Sequence, residues 1–175
     1  MPGIDPDRAF TPLRIAVLTV SDSRTVETDR SGALLIQRLQ DAGHQLAERR
    51  ILPDEQPLLV DQLRAWIQDP GVQVILCTGG TGVTGRDITP ESVAQVADKE
   101  IPGFGEHFRR ISFDSIGLSA LQSRATAALA GTTYIFALPG STGACKDAWD
   151  GILASLLDSR HRPCNFAELI PRLDE

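Results

Sequence analysis

The segment Thr78-Gly79-Gly80-Thr81-Gly82-Val83-Thr84-Gly85-Arg86-Asp87 sets four glycines and a closing carboxylate directly after an apolar run that ends at Cys77. Glycine has no Cβ, so such a turn bends sharply and lets the backbone approach a ligand closely. Successive N–H groups in a turn of this kind hold phosphate oxygens without any side-chain charge. Thr78, Gly79, Gly80, Thr81 and Gly82 are therefore the candidate phosphate cradle. Pro139-Gly140-Ser141-Thr142-Gly143 repeats the logic on a smaller scale. Gly140 frees the backbone there, and Ser141 or Thr142 can cap a following helix. Ser21-Asp22-Ser23 makes a third turn from ordinary turn residues.

Two carboxylates stand out by placement. Asp87 closes the large glycine loop, and Asp54 lies in Leu52-Pro53-Asp54-Glu55-Gln56. A carboxylate beside a phosphate is repulsive unless a cation intervenes, and Mg²⁺ is typically held by one or two carboxylates plus substrate phosphates. Each aspartate also has a purely local reading: Asp54 can cap a helix starting near Pro57, and Asp87 can form an Asx-turn before Thr89. Gly80-x-Gly82-x-x-Gly85 matches the letters of a dinucleotide-binding fingerprint, but the next helix signal comes only at Thr89-Pro90, outside the glycines. No Lys-Ser or Lys-Thr follows the loop, so it is not a Walker A loop. His44, His107 and His161 lack metal-ligand spacing, and no G-x-S-x-G elbow is present. Arg86 and Arg124 are the better basic candidates for ligand contact.

The elements that must position these turns are legible as alternating patterns. Arg14–Val20 and Val72–Cys77 are apolar, β-branched runs of the kind buried on both faces. Leu46–Leu52 is a more polar strand expected near a sheet edge, and Thr132–Leu138 is a further strand. Helices are expected over Ser31–Ala42, Pro57–Gln68, from Thr89 (as N-cap) with Pro90 at the first helical position, over Glu106–Phe113, Ser119–Ala130 and Thr142–Leu157. Strands alternating with helices imply a largely parallel sheet covered on both faces, with the ligand site beyond the carboxyl ends of the strands.

Composition limits the partners. The chain has 175 residues, 42% hydrophobic and 23% charged, which is globular and sized for one domain. Its net charge is −6 and its basic residues are scattered, so no face is built to grip a nucleic-acid backbone. No run approaches the ~18 apolar residues of a membrane span, and the amino terminus has no signal-peptide pattern. Cys77, Cys145 and Cys164 are odd in number and unpaired in spacing, as expected for a cytoplasmic protein. Residues 1–12 read as a mobile leader, 13–166 as a single α/β domain, and 167–175 as a carboxyl-terminal tail.

Taken in order, Thr19-Val20-Ser21-Asp22, Thr78-Gly79-Gly80-Thr81-Gly82, Asp87-Ile88-Thr89-Pro90-Glu91, Pro102-Gly103-Phe104-Gly105-Glu106 and Leu138-Pro139-Gly140-Ser141 resemble the MogA/MoaB family of molybdenum-cofactor biosynthesis. The resemblance runs from Arg14 to Phe166, and Arg160-His161-Arg162-Pro163-Cys164-Asn165-Phe166 looks most like its MoaB branch. It implies a three-layer α/β/α fold with a mostly parallel central sheet and a homo-oligomer, trimer or hexamer. It implies molybdopterin as substrate and other molybdenum-cofactor biosynthesis proteins as partners. In adenylyltransferase members, molybdopterin and Mg-ATP give adenylylated molybdopterin and pyrophosphate. Asp54 and Asp87 match the two aspartates essential in those members, which makes them the expected catalytic and Mg²⁺-holding residues. Ser21, Asp22, Thr78–Gly82, Gly140 and Ser141 are the expected substrate-binding residues. The alternative is a molybdopterin-binding carrier without catalysis, since some members of the MoaB branch lack the first aspartate; here Asp54 is retained.

Overall fold

A computed structural model describes residues 2–175. In chain order its elements are β1 (Gly3–Ile4), β2 (Arg14–Val20), α1 (Arg30–Asp41), β3 (Gln45–Leu52), α2 (Gln56–Gln68), β4 (Val74–Thr78), α3 (Thr89–Val96) and β5 (Lys99–Glu100). Then come α4 (Pro102–Ile116), a 3₁₀ turn (Gly117–Gln122), β6 (Thr126–Ala130), β7 (Thr133–Leu138) and α5 (Thr142–Ala148). A π-type turn (Trp149–Leu153) carries α5 into the short α6 (Ala154–Leu156), followed by β8 (His161–Arg162) and a closing 3₁₀ turn (Ala167–Arg172).

The main sheet has the order β3-β2-β4-β7-β6-β5. Its first four strands run parallel, while β6 and β5 are antiparallel to their neighbours. The apolar runs explain who sits in the middle: β2, β4 and β7 bury nearly every side chain, and polar β3 takes the edge. Along β2 the faces alternate, as the strand pleat requires. Ile15 and Val17 meet the layer containing Leu35 and Leu39 of α1, Phe104 and Phe108 of α4, and Ala148 of α5. Ala16, Leu18 and Val20 meet Leu59, Leu63 and Trp66 of α2 and Val93 of α3. This is the three-layer α/β/α arrangement with a mostly parallel sheet that the sequence implies.

Two expectations are corrected. Ser119–Ala130 is not a helix: Gly117, at φ +58°, ends α4, the 3₁₀ turn follows, and Thr126–Ala130 pairs as β6. The alanines of this stretch favour a helix locally, but Gly131 at φ +57° makes a two-residue hairpin turn that registers Ala130 against Thr133. Ala127, Ala128 and Ala130 then lie buried under the helices. Thr89 does not cap α3; it is the first helical residue, and Ile88 precedes it. The leader and tail residues also make contacts with the domain. β1 pairs antiparallel with β8, Arg8 bonds the Ser159 carbonyl at 3.0 Å and Glu168 at 2.5 Å, and the Phe10 ring lies between His44 and the Arg160 guanidinium. Apolar and charged contacts from both ends thus tie this layer to the domain; Met1 lies outside the described residues. No helix among the described residues is long and apolar enough to cross a membrane.

Candidate functional site

Strands β2, β4 and β7 run parallel, so Val20, Thr78 and Leu138 end on the same side of the sheet. The three turns singled out by their composition follow from these ends and meet there. Gly79 has φ +102° and Gly80 φ +66°, conformations that side chains other than glycine's adopt at a cost. A methyl group on Gly79 would sit 2.3 Å from the Val20 carbonyl oxygen, and one on Gly140 only 3.3 Å from Gly79 Cα. The glycines are therefore what allows the turns to touch.

The loop is fixed by its own carbonyls and by one N–H. The Gly79 N–H bonds the Leu138 carbonyl at 3.0 Å, and the Thr89 hydroxyl and N–H hold the Gly79 and Gly80 carbonyls at 2.7 and 3.0 Å. Thr78 commits its hydroxyl to the Pro139 carbonyl at 2.9 Å. The Gly80, Thr81, Gly140 and Ser141 N–H groups have no hydrogen-bond acceptor among the described residues. These turns border a cleft of about 470 Å³ whose opposite wall is α4 and the 3₁₀ turn. That volume suits a small-molecule site, which typically spans about 300–1,000 Å³. Ser141 also caps α5, its side chain accepting from the Ala144 N–H at 3.2 Å.

The carboxylates flank the cradle with opposite tendencies. Asp54 Oδ1 lies 3.4 Å from where a Gly80 methyl would be. Asp54 does not cap α2; Glu55 occupies that position without a side-chain bond. Burial, then the neighbouring charge of Asp22, push the Asp54 carboxyl above its ordinary value, and Asp87 adds to the repulsion. Asp87 is partly buried, which opposes ionisation, yet bonds from the Thr84 hydroxyl and from the Thr84 and Gly82 N–H groups hold it below its ordinary value. The Thr84 hydroxyl and N–H reach Asp87 Oδ2 at 2.7 and 2.9 Å, so the carboxylate folds back into the loop and makes no Asx-turn before Thr89. Asp22 accepts from the Asp54 N–H at 3.1 Å and from Arg86 at 2.5 Å, and the Arg86 contact leads the lowering of its carboxyl. Ser21 turns its hydroxyl to the N–H groups of Ser23 and Arg24 and borders a smaller hollow beside Gly79. No cluster of three potential metal ligands occurs among the described residues. Asp54 and Asp87 are oxygen donors of the kind Mg²⁺ takes, and the negative neighbours Asp22 and Asp87, partly offset by Arg86, favour a cation beside Asp54.

Two supports carry little sequence signal. Arg124 Nε donates to the Gly82 carbonyl at 2.6 Å and Nη2 to the Asp87 carbonyl at 2.8 Å, while the guanidinium also pairs with Glu91. It clamps the loop instead of reaching for a ligand. Asp29 caps α1 through Gly32, takes the Thr19 hydroxyl at 2.7 Å and Arg49 at 2.9 Å, and Ser31 donates to the Gly140 carbonyl at 2.6 Å. An Asp one residue before a helix is a readable cap; the bond from Ser31 to Gly140 is not. Arg124→Ala is expected to cost about 2 kcal/mol, a fall of roughly 4–8 °C in melting temperature, with weaker pyrophosphate binding by calorimetry. Arg124→Lys should not restore either, because one ammonium cannot serve carbonyls and carboxylate in the guanidinium's fork geometry.

The sequence profile of the family described as "Probable molybdopterin binding domain" matches residues 16–159. The chain belongs to this family. Among its relatives, Molybdenum cofactor biosynthesis protein B of Escherichia coli (strain K12) is 50% identical over 157 residues, spanning 90% of this chain and 92% of that one. A crystal structure of Molybdenum cofactor biosynthesis protein B superimposes with a TM-score of 0.86 at 38% identity, covering 95% of this chain and 98% of the other. A structure of MogA gives 0.75 at 29% identity, over 91% and 99% of the two chains. The molybdopterin-binding family match spans all three turns and both aspartates.

Proposed function

We propose that this chain binds molybdopterin in molybdenum-cofactor biosynthesis and adenylylates it with Mg-ATP. The observation that carries the reading is the cradle: the N–H groups of Gly80, Thr81, Gly140 and Ser141 without internal acceptors, in turns that Gly79 lets approach closely, flanked by Asp54 and Asp87. The cradle holds the terminal phosphate of molybdopterin, and the Gly140-Ser141 turn fixes the adjoining part of the molecule. An oxygen of that phosphate attacks the α-phosphorus of ATP; the bond from this phosphorus to the bridging oxygen of the β-phosphate breaks, and pyrophosphate leaves. The nucleophile is already anionic, so no proton has to move. Alignment and charge neutralisation supply the catalysis, as in phosphoryl transfer generally. Asp54 and Asp87 would hold Mg²⁺, which offsets phosphate charge when bound. Arg86, already paired with Asp22, keeps one acidic side chain neutralised beside Asp54.

Purified protein incubated with molybdopterin and Mg-ATP should release pyrophosphate and yield adenylylated molybdopterin. Tight molybdopterin binding without pyrophosphate release would instead assign the chain the carrier role. The reading also includes self-assembly to a trimer or hexamer, checked by light scattering at micromolar concentration; a monomer mass would remove it.

A further inference from the structure

The four N–H groups without acceptors in the site turns belong to four peptide planes: Gly79–Gly80, Gly80–Thr81, Pro139–Gly140 and Gly140–Ser141. Each plane has a glycine on at least one side. Because glycine accepts both signs of φ, such a plane can turn over at little cost while the path of the chain hardly changes. A phosphate would then meet a carbonyl oxygen in place of a donor. The backbone's own preferences do not prevent this, so something else has to hold the planes.

These peptides are trans, and in a trans peptide the N–H and the C=O point opposite ways. A bond made to the carbonyl therefore aims the N–H of the same plane. The Thr89 hydroxyl bonds the Gly79 carbonyl at 2.7 Å and so aims the Gly80 N–H. The Thr89 N–H bonds the Gly80 carbonyl at 3.0 Å and aims the Thr81 N–H. The Thr78 hydroxyl bonds the Pro139 carbonyl at 2.9 Å, with the Cys145 thiol on the same oxygen at 3.4 Å, and this plane carries the Gly140 N–H. The Ser31 hydroxyl bonds the Gly140 carbonyl at 2.6 Å and aims the Ser141 N–H. Every plane with a free donor is thus held by its carbonyl. The three hydroxyl-bearing residues are buried and come from the end of β4, the first residue of α3 and the first turn of α1.

We propose that Thr78, Thr89 and Ser31 are positioning residues that aim the cradle's N–H donors at an anionic ligand without touching it. The inference rests on the molybdopterin reading above and adds which side chains keep its donors in place. Thr78, although it opens the glycine turn, then acts through Pro139 and not on the ligand. A hydroxyl suits the task because it donates one bond to a carbonyl and brings no charge beside the phosphate. The work also divides by ligand part: Thr89 serves the turn that takes phosphate, while Thr78 and Ser31 serve the Gly140-Ser141 turn.

The test titrates wild type, Thr89→Val, Thr89→Ser and Ser31→Ala with molybdopterin and with inorganic pyrophosphate by calorimetry, at a temperature where each is folded. Thr89→Val is expected to weaken both ligands about tenfold, the effect of one misdirected donor to a charged group. Thr89→Ser keeps the hydroxyl and should recover both affinities. Ser31→Ala should weaken molybdopterin about tenfold and leave pyrophosphate at its wild-type affinity, and adding Thr78→Val should weaken molybdopterin further with pyrophosphate again spared. Each deletion removes an internal bond, so a lower melting temperature is expected throughout, and the pattern across the two ligands is what decides. Equal losses of both ligands in Thr89→Val and Ser31→Ala would mean general loosening and overturn the inference. Undiminished affinities in both variants, or a folded Thr89→Ser that recovers nothing, would overturn it too while leaving the cradle standing. A wild type that binds no molybdopterin removes the reading beneath it as well.

Discussion

Asp54→Asn and Asp87→Asn should each lower the formation of adenylylated molybdopterin by about 10²-fold, which is roughly 2.7 kcal/mol of transition-state stabilisation. The double variant should lose little more, because groups that act as a unit are not additive. Stability separates the two. An acid raised on folding opposes the fold once ionised, so the Asp54 burden is absent below its ordinary value of 3.8 and is fully present above the raised folded value. Asp54→Asn should therefore melt above wild type at neutral pH without Mg²⁺, with the difference vanishing as pH falls into the carboxyl range. Asp87 is the reverse case. Its lowered carboxyl contributes stability above 3.8 that is lost as pH falls through the folded value, so Asp87→Asn should melt below wild type at neutral pH. Product formation at saturating Mg-ATP and melting curves across pH check both halves. Unimpaired turnover in both single variants would end the carboxylate mechanism.

Gly79→Ala should be severely destabilising for a single added methyl group. The added carbon would lie 2.3 Å from the Val20 carbonyl oxygen, which belongs to a central strand, at a φ of +102°. Neither backbone can yield without disturbing the sheet, so the expected loss is about 3 kcal/mol or more, near 6–12 °C in melting temperature. Gly85→Ala, in the same loop, meets nothing within 4 Å and should leave melting temperature unchanged within about 1 °C. Gly80→Val lies between these: its Cβ would meet the Thr89 hydroxyl at 2.5 Å, a side-chain atom that can shift, so molybdopterin affinity should fall more than stability. A Gly79→Ala protein as stable as wild type would show that the turn is not wedged against β2.

Where the sequence is legible, a local pattern coincides with the tertiary outcome. β2, β4 and β7 are β-branched or apolar runs, and they become the buried centre of the sheet. β6 is an alanine-rich stretch whose local preference is helical, and it is a strand only because β7 lies beside it. At the candidate site, the glycine turns and Asp87 are visible because glycine clusters and a closing carboxylate are unusual in themselves. Arg124, 37 residues beyond Asp87, stands out only as a candidate for ligand contact, and nothing beside it in the chain signals that it clamps the loop. Thr89 has the composition of a cap, yet it bridges the loop from inside the helix.

The position of β7 between β4 and β6 has a consequence for how the chain is made. Val74 finds its partner in Tyr134, so the centre of the sheet closes only after most of the chain has been synthesised. Until then β4 exposes an unpaired edge beside β2, a template for joining to another unfinished chain. The cradle does not exist in that interval, because Gly79 is anchored to Leu138 and Gly140 presses on it from the far side. Ligand binds only the finished structure, so molybdopterin can protect completed molecules by mass action but cannot rescue nascent ones. Slow translation through β7 should therefore lower soluble yield even when the cofactor precursor is abundant.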